Sequence, residues 1–262
     1  MSVRELGTMI WVEVTMQMKT DIKYLSSTVS EFILYTFAYL AVVIFGAVKG
    51  MNAFYHTNLG VIMILIGFMF WNMGVVAMDE STLFIETGAR TGILETEIQS
   101  RFSLWFIALV RSWVTDIYYF VYLLILSVIT AFVISVPVLQ LVKADVLVFV
   151  IAIISNVGML GIGLLFGAGS LRFKRVGNWS SILQSAILFV ANVAMPNYFS
   201  AQLLLPFGAG IEITRHLFLG QSVSLNLIGT YFGVNVIWFA LGLVIFRHAM
   251  QKERRIGSFD RF

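Results

Sequence analysis

The sequence predicts an all-α membrane protein of about six transmembrane helices, and three observations carry that expectation. Apolar residues fill 59% of the 262 positions and charged ones only 12%, against roughly 45–50% and 25% in water-soluble domains. A soluble core of this size could not hide so much apolar surface. Six apolar stretches approach the roughly 20 residues that cross about 30 Å of hydrocarbon: 32–48, 59–77, 113–136, 146–168, 180–195 and 225–246. The first and fifth are short, and their flanks are expected to extend them. Lys and Arg divide very unevenly between the two sides of such a bundle. With both termini cytoplasmic, fourteen of the 17 basic residues, Lys174 and Arg261 among them, fall in inner segments, leaving only Lys49, Lys143 and Arg215 outside. The asymmetry sets the orientation and favours an even number of spans.

Residues 1–28 read as an interfacial helix. Leu6, Ile10, Trp11, Val14, Met18 and Ile22 share one broad apolar face, opposite Glu5, Thr8, Lys19 and Lys23, with Gln17 and Asp21 intruding. Such a helix lies in the cytoplasmic interface with its lysines toward lipid headgroups; a helix packed on a protein partner is the alternative. The opening MSVRELGTMIWVEV mixes charges among apolar residues, so no cleaved signal peptide is expected. Thr28-Val29-Ser30-Glu31 has the pattern of a capping box that starts the first span, the alternative being a buried functional Glu31. Pro137 and Pro196 close the third and fifth spans, and Pro206 lies in a loop. No repeat or linker divides residues 1–262, which form one domain.

Two segments between spans are long enough to carry function. In the inner segment 78–112, Glu86-Thr87-Gly88 is expected to end a short helix and Gly92 to open a second turn. Acidic residues alternate there with apolar ones, which suits docking into a groove of another protein; a solvated acidic loop is the plainer reading. The outer segment 196–224 is too apolar for a solvated loop and is broken by Pro206, Gly208 and Gly210. Two short helices that enter the outer leaflet and return would enclose its non-helical backbone. Glu212 can pair with Arg215 or His216 at helical spacing, a structural rather than a catalytic arrangement.

Polar residues inside spans mark either a path or a helix contact. Ser181, Ser185 and Asn192 share a face of the fifth stretch and are the candidate substrate path. Gly163-x-x-x-Gly167 points to close packing of the fourth, Asn72 and Asn235 have no assigned partner, and Asp116 is expected to stay within reach of solvent. The sequence has no cysteine, no phosphate-binding Gly-x-x-x-x-Gly-Lys run, no His-Glu-x-x-His pair and no Gly-x-Ser-x-Gly elbow. Neither catalytic residues nor a metal site nor a bound cofactor is therefore expected in this chain.

Glu86 followed by Gly92-Ile93-Leu94-Glu95 resembles the Glu and Gly-Thr-Leu-Glu-like element between the second and third spans of type-2 ABC transporter permeases. Ser100-Arg101 stands where that pattern often continues to Ser-Pro. Leu205-Pro206 and the run from Arg215 to Gly220 resemble the family's re-entrant helices between spans five and six. The resemblance covers essentially the whole chain, from the amphipathic entry helix to the basic tail ending at Arg261 and Phe262. It implies a coupling helix at 80–98, with Glu86, Gly92, Leu94 and Glu95 the matching positions, and outer re-entrant residues Pro206, Glu212 and Arg215. It also implies two copies of a separate ATP-binding cassette subunit, which would hold ATP and Mg, and a second permease copy or paralogue. Membrane lipid is a further implied partner, and nucleic acid is not. The implied place is a bacterial plasma membrane, and the implied work is export of an amphiphilic drug, peptide or lipid. Polysaccharide fits less well, because the Leu-Gly and Trp that polysaccharide exporters place before the first span are missing. A membrane scaffold that docks a cytoplasmic partner without transport is the alternative.

Overall fold

The computed structural model describes residues 3–134, 136–173 and 175–256. Lys174, Arg261 and Phe262 lie outside the described residues. Among those residues there is no strand, and ten α-helices account for most of the chain.

Helix α1 (Val3–Lys23) is followed after one residue, Tyr24, by α2 (Leu25–Val42). The predicted capping box does not start α2. Ser27 and Thr28 already donate to the Tyr24 carbonyl at 2.8 and 3.2 Å, so no orphan N–H remains at Thr28 for a box to satisfy. Ser30 Oγ turns back instead to the Ser26 carbonyl at 2.8 Å. A π-helical turn, Val43–Ala47, carries α2 into α3 (Val48–Tyr55), which stops at left-handed His56.

Helix α4 (Gly60–Thr91) has 32 residues and is the post of the bundle. At 1.5 Å per residue it is about 48 Å long, and its apolar window is buried along its whole length. Around it stand α6 (Leu104–Ile134), α7 (Val138–Phe173) and α10 (Leu225–Ile256), with α7 packed between α4 and α10. The small residues of α7 make that possible. A Cβ added at Gly163 would meet the Met78 carbonyl of α4 at 2.5 Å, and Gly161 abuts the backbone of Trp238 and Phe239 in α10. The glycine pattern is therefore a packing device on both faces of α7.

Five helical segments are long and apolar enough to cross a membrane: Leu25–Phe45, Gly60–Thr91, Leu104–Ile134, Val138–Phe173 and Leu225–Arg255. The protein is an all-helical membrane protein. The stretch 180–195 departs from expectation. Its helix, α8 (Gly177–Val190), has 14 residues, and the chain turns extended at Ala191, so the helix covers about 21 Å. Just past the stop, Asn192 Nδ2 donates away from the helix, to the Gly208 carbonyl at 3.0 Å.

Beyond α8 the chain dips beside α4 and returns. A 3-10 turn, Ser200–Leu204, leads through Pro206 to α9 (Gly208–Phe218). Phe207 reaches the level of Gly74, where a Cβ would meet its ring at 3.2 Å. Arg215, two turns on, has climbed back to Met63. Three side chains satisfy carbonyls of this irregular stretch. Gln202 Nε2 donates to Val190 at 3.1 Å, Trp238 Nε1 to Leu204 at 2.9 Å and Asn235 Nδ2 to Pro206 at 2.9 Å. Asn235 thereby gains the partner that its sequence context could not supply.

Candidate functional site

The four residues predicted for coupling do not form one surface. Helix α4 runs through Glu86 and Gly88 without a break and ends at Gly92, whose φ of 76° is the left-handed geometry that glycine adopts without strain. The predicted stop at Gly88 is overturned for a packing reason. With no side chain at Gly88, the chain folds back over it, and a Cβ placed there would lie 3.4 Å from Leu94 Cβ. Glu86 is buried rather than displayed. Its Oε2 accepts the N–H groups of Val176 and Gly177 at 2.9 and 2.7 Å, capping the first turn of α8 from across the bundle.

Past Gly92, α5 (Ile93–Ile98) is a short helix with two faces. Ile93 and Glu95 are exposed, while Leu94 is fully buried. Leu94 belongs to an apolar cluster with Ile85 and Ala89 of α4, Leu104 and Ala108 of α6, Leu164 and Leu171 of α7, and Phe246 of α10. Through Leu94 the surface turn joins a cluster that four long helices share. Helix α1 closes over the same end. Arg111 of α6 donates to Glu13 of α1 at 2.9 Å and to Glu97 of α5 at 3.3 Å. Arg101 pairs with Glu5, and the Tyr118 hydroxyl donates to the Val14 carbonyl at 3.0 Å. Burial raises the Glu97 carboxyl, and Arg111 pulls it the other way. The partner of α1 in the structure is therefore the chain's own α6.

At the opposite end α9 carries a buried charge network. Arg215 is fully buried and Glu212 nearly so, joined at 3.2 Å. Glu212 accepts the Tyr55 hydroxyl at 2.7 Å and Asn192 Nδ2 at 2.9 Å. Arg215 also donates to the carbonyls of Met63 and Val193, each at 2.9 Å from Nη2, and of Met195 at 3.5 Å from Nη1. Burial pushes the Tyr55 phenol up, and neighbouring Arg215 opposes the shift. Pairing between Glu212 and Arg215 follows the sequence expectation, and His216 has no part in it. Tyr55, Met63 and Val193 were beyond sequence reasoning, since they lie 160, 152 and 22 positions from Arg215 and no helical spacing links them to it. Pro206 is buried at the foot of this unit, behind Phe207.

The three residues predicted to line a substrate path do not share one face. Ser181 and Ser185 lie exposed on the outer face of α8 and return their hydroxyls to the Gly177 and Ser181 carbonyls at 3.2 and 2.9 Å. Asn192 is buried beyond the helix end, inside the Glu212 network. The face they share on paper exists only if the helix continues past Val190, and it does not. Asp116 is also corrected. It is buried among α4, α6 and α7 and accepts from Asn156 Nδ2, so solvent does not reach it.

Among the described residues no group of three His, Asp or Glu is placed to hold a metal ion. Comparison with family models, with curated proteins and with solved structures returns no match.

Proposed function

We propose that this chain is the membrane-spanning permease subunit of a type-2 ABC exporter, working as a pair with two copies of a separate ATP-binding subunit. In this reading α8 serves as a fifth, shortened crossing, which makes six, and α9 is the re-entrant helix of the outer leaflet. Both termini, with α1 and α5, face the cytoplasm. The observation that carries the proposal is Leu94: an exposed six-residue helix is anchored by one buried side chain into a cluster shared by α4, α6, α7 and α10. A partner pressing on Ile93 and Glu95 would move that anchor and bias the packing of four helices together. Tightly packed interfaces switch between discrete arrangements rather than deform smoothly. Glu86 plays a supporting role, since the α8 cap ties α8 to the same stretch of α4 that precedes the turn.

Exposure of α5 also fits a scaffold that merely docks a partner. What favours transport is the buried end of Leu94, which docking alone does not require. The test uses the full chain co-expressed with its genomically adjacent ATPase candidates and purified through the permease. Copurification and a raised ATP turnover in liposomes are expected. Glu95→Lys is expected to abolish copurification, and Leu94→Ala to keep the complex but uncouple ATP turnover from transport. An unaltered complex and unaltered coupling in both variants would refute the assignment. The sequence has no cysteine, so a single cysteine at Thr96 reports sidedness without background; labelling from outside the cell would also end the proposal.

A further inference from the structure

Between α1, α2 and α6, with Glu80 of α4 at its base, lies a cavity of about 740 Å³. That size is within the roughly 300–1,000 Å³ range of small-molecule sites. Its wall is aromatic. Phe32, Tyr35, Tyr118, Tyr119 and Tyr122 line it, and the rings meet mostly edge to face around Tyr122. Phe32 lies 4.8 Å from it, Tyr119 6.1 Å and Tyr35 6.4 Å. Tyr24 sits at the rim and already has Lys23 Nζ 5.2 Å from its ring centre.

Three carboxylates face the same space: Asp21, Glu31 and Glu80. Each has a neutral hydrogen-bond partner. Gln17 Nε2 donates to Asp21 at 3.1 Å, the Tyr119 hydroxyl to Glu31 at 3.1 Å, and Thr115 Oγ1 to Glu80 at 3.0 Å. Among the described residues no Lys, Arg or His lines the cavity, and none of the three acids is in an ion pair. The nearby Arg111 attracts Glu80 through space, but its hydrogen bonds go to Glu13 and Glu97, and its guanidinium lies 4.2 Å from the centre of the Phe84 ring. Neutral partners orient a carboxylate without cancelling its charge. Val29, Val121 and Ile125, all substantially exposed, form an apolar lip.

We propose that this cavity is a binding site for a bulky organic cation, a quaternary ammonium or phosphonium with apolar arms. The positive centre would lie against ring faces, whose quadrupole attracts it, with three carboxylates supplying long-range attraction in a partly desolvated site. The arms would follow the apolar lip. A neutral or anionic amphiphile would leave the acids unbalanced, and a hydrated metal ion would gain nothing from the rings. That such a cation is also the exported cargo rests on the permease proposal; that it binds does not.

The probe is tetraphenylphosphonium, titrated by equilibrium dialysis against the purified full chain in neutral detergent without any ATPase. Tetraphenylborate, of the same shape and opposite charge, controls for simple partitioning into apolar surface. Saturable binding of the phosphonium, without competition from the borate, is expected. Glu31→Gln and Asp21→Asn are each expected to weaken it by about tenfold. Tyr122→Leu is expected to weaken it by several-fold while Tyr122→Phe, which keeps the ring, is not. Glu31 is exposed, so its substitution leaves folding intact, which an unchanged gel-filtration profile checks. Absence of saturation, equal binding of the borate, or wild-type affinity in both acid variants overturns the site. Loss of ATPase copurification would sink the permease proposal and leave this one standing.

Discussion

Replacing Glu212 by Leu removes the acidic half of the buried pair in α9, and the structure sets the size of the effect. Glu212 accepts from Tyr55, Asn192 and Arg215. After the change Asn192 Nδ2 keeps the Gly208 carbonyl, but the Tyr55 hydroxyl loses the carboxylate, a loss of about 1–3 kcal/mol for a buried donor. Arg215 keeps three carbonyl acceptors but loses its counter-charge. Breaking a buried pair from one side typically costs about 3–5 kcal/mol. The remaining carbonyls place Glu212→Leu near the lower end, about 3 kcal/mol. Glu212→Gln retains an acceptor and should cost about half as much. Arg215→Met should cost more than Glu212→Leu, because it also strips donors from the Val193 and Met195 carbonyls, which lie outside any helix. The assay is reversible unfolding of the purified chain in mixed micelles titrated with a denaturing detergent. Ser185→Ala, on the exposed face of α8, serves as the near-zero reference. A cost under about 1 kcal/mol for Glu212→Leu, or a smaller cost for Arg215→Met, would refute the view that this network holds α9 in place.

Two further outcomes follow from the same packing. Glu86→Ala leaves the Val176 and Gly177 N–H groups uncapped and is expected to destabilise the fold by about 1–2 kcal/mol, read by the same unfolding assay, while partner copurification through α5 stays intact. Gly163→Leu drives a side chain into the Met78 carbonyl and Ser81 of α4; a loss of about 3 kcal/mol or failure to accumulate in the membrane is expected, against little change for Gly229→Ala, where nothing lies within 4 Å.

Much of the architecture was legible because lipid imposes a simple rule. Apolar runs of about 20 residues must become helices, and hydropathy alone located α2, α4, α6, α7 and α10. The close contact at Gly163 and the pairing of Glu212 with Arg215 were legible too, because both rest on local spacing along one helix. The common face of Ser181, Ser185 and Asn192 was misjudged because a helical wheel assumes that the helix continues. Asn192 is recruited instead by a carbonyl and a carboxylate 16 and 20 residues away. Glu86 looked like a surface acid because acidic and apolar residues alternate through its segment, but its partners are the amides of Val176 and Gly177, 90 and 91 positions on.

Composition, apolar run length and basic-residue placement by themselves determined an all-helical membrane protein, its long helices and the two segments between them worth attention. Those properties follow from the transfer of side chains into lipid, which is nearly additive along a chain. Only the tertiary structure decided that Leu94 is an anchor, that Glu86 is a cap, and that Asp21, Glu31 and Glu80 share one aromatic cavity. Partner choice for a buried polar group depends on which helices meet and at what depth, and the spacing of residues within one helix carries no information about its neighbour.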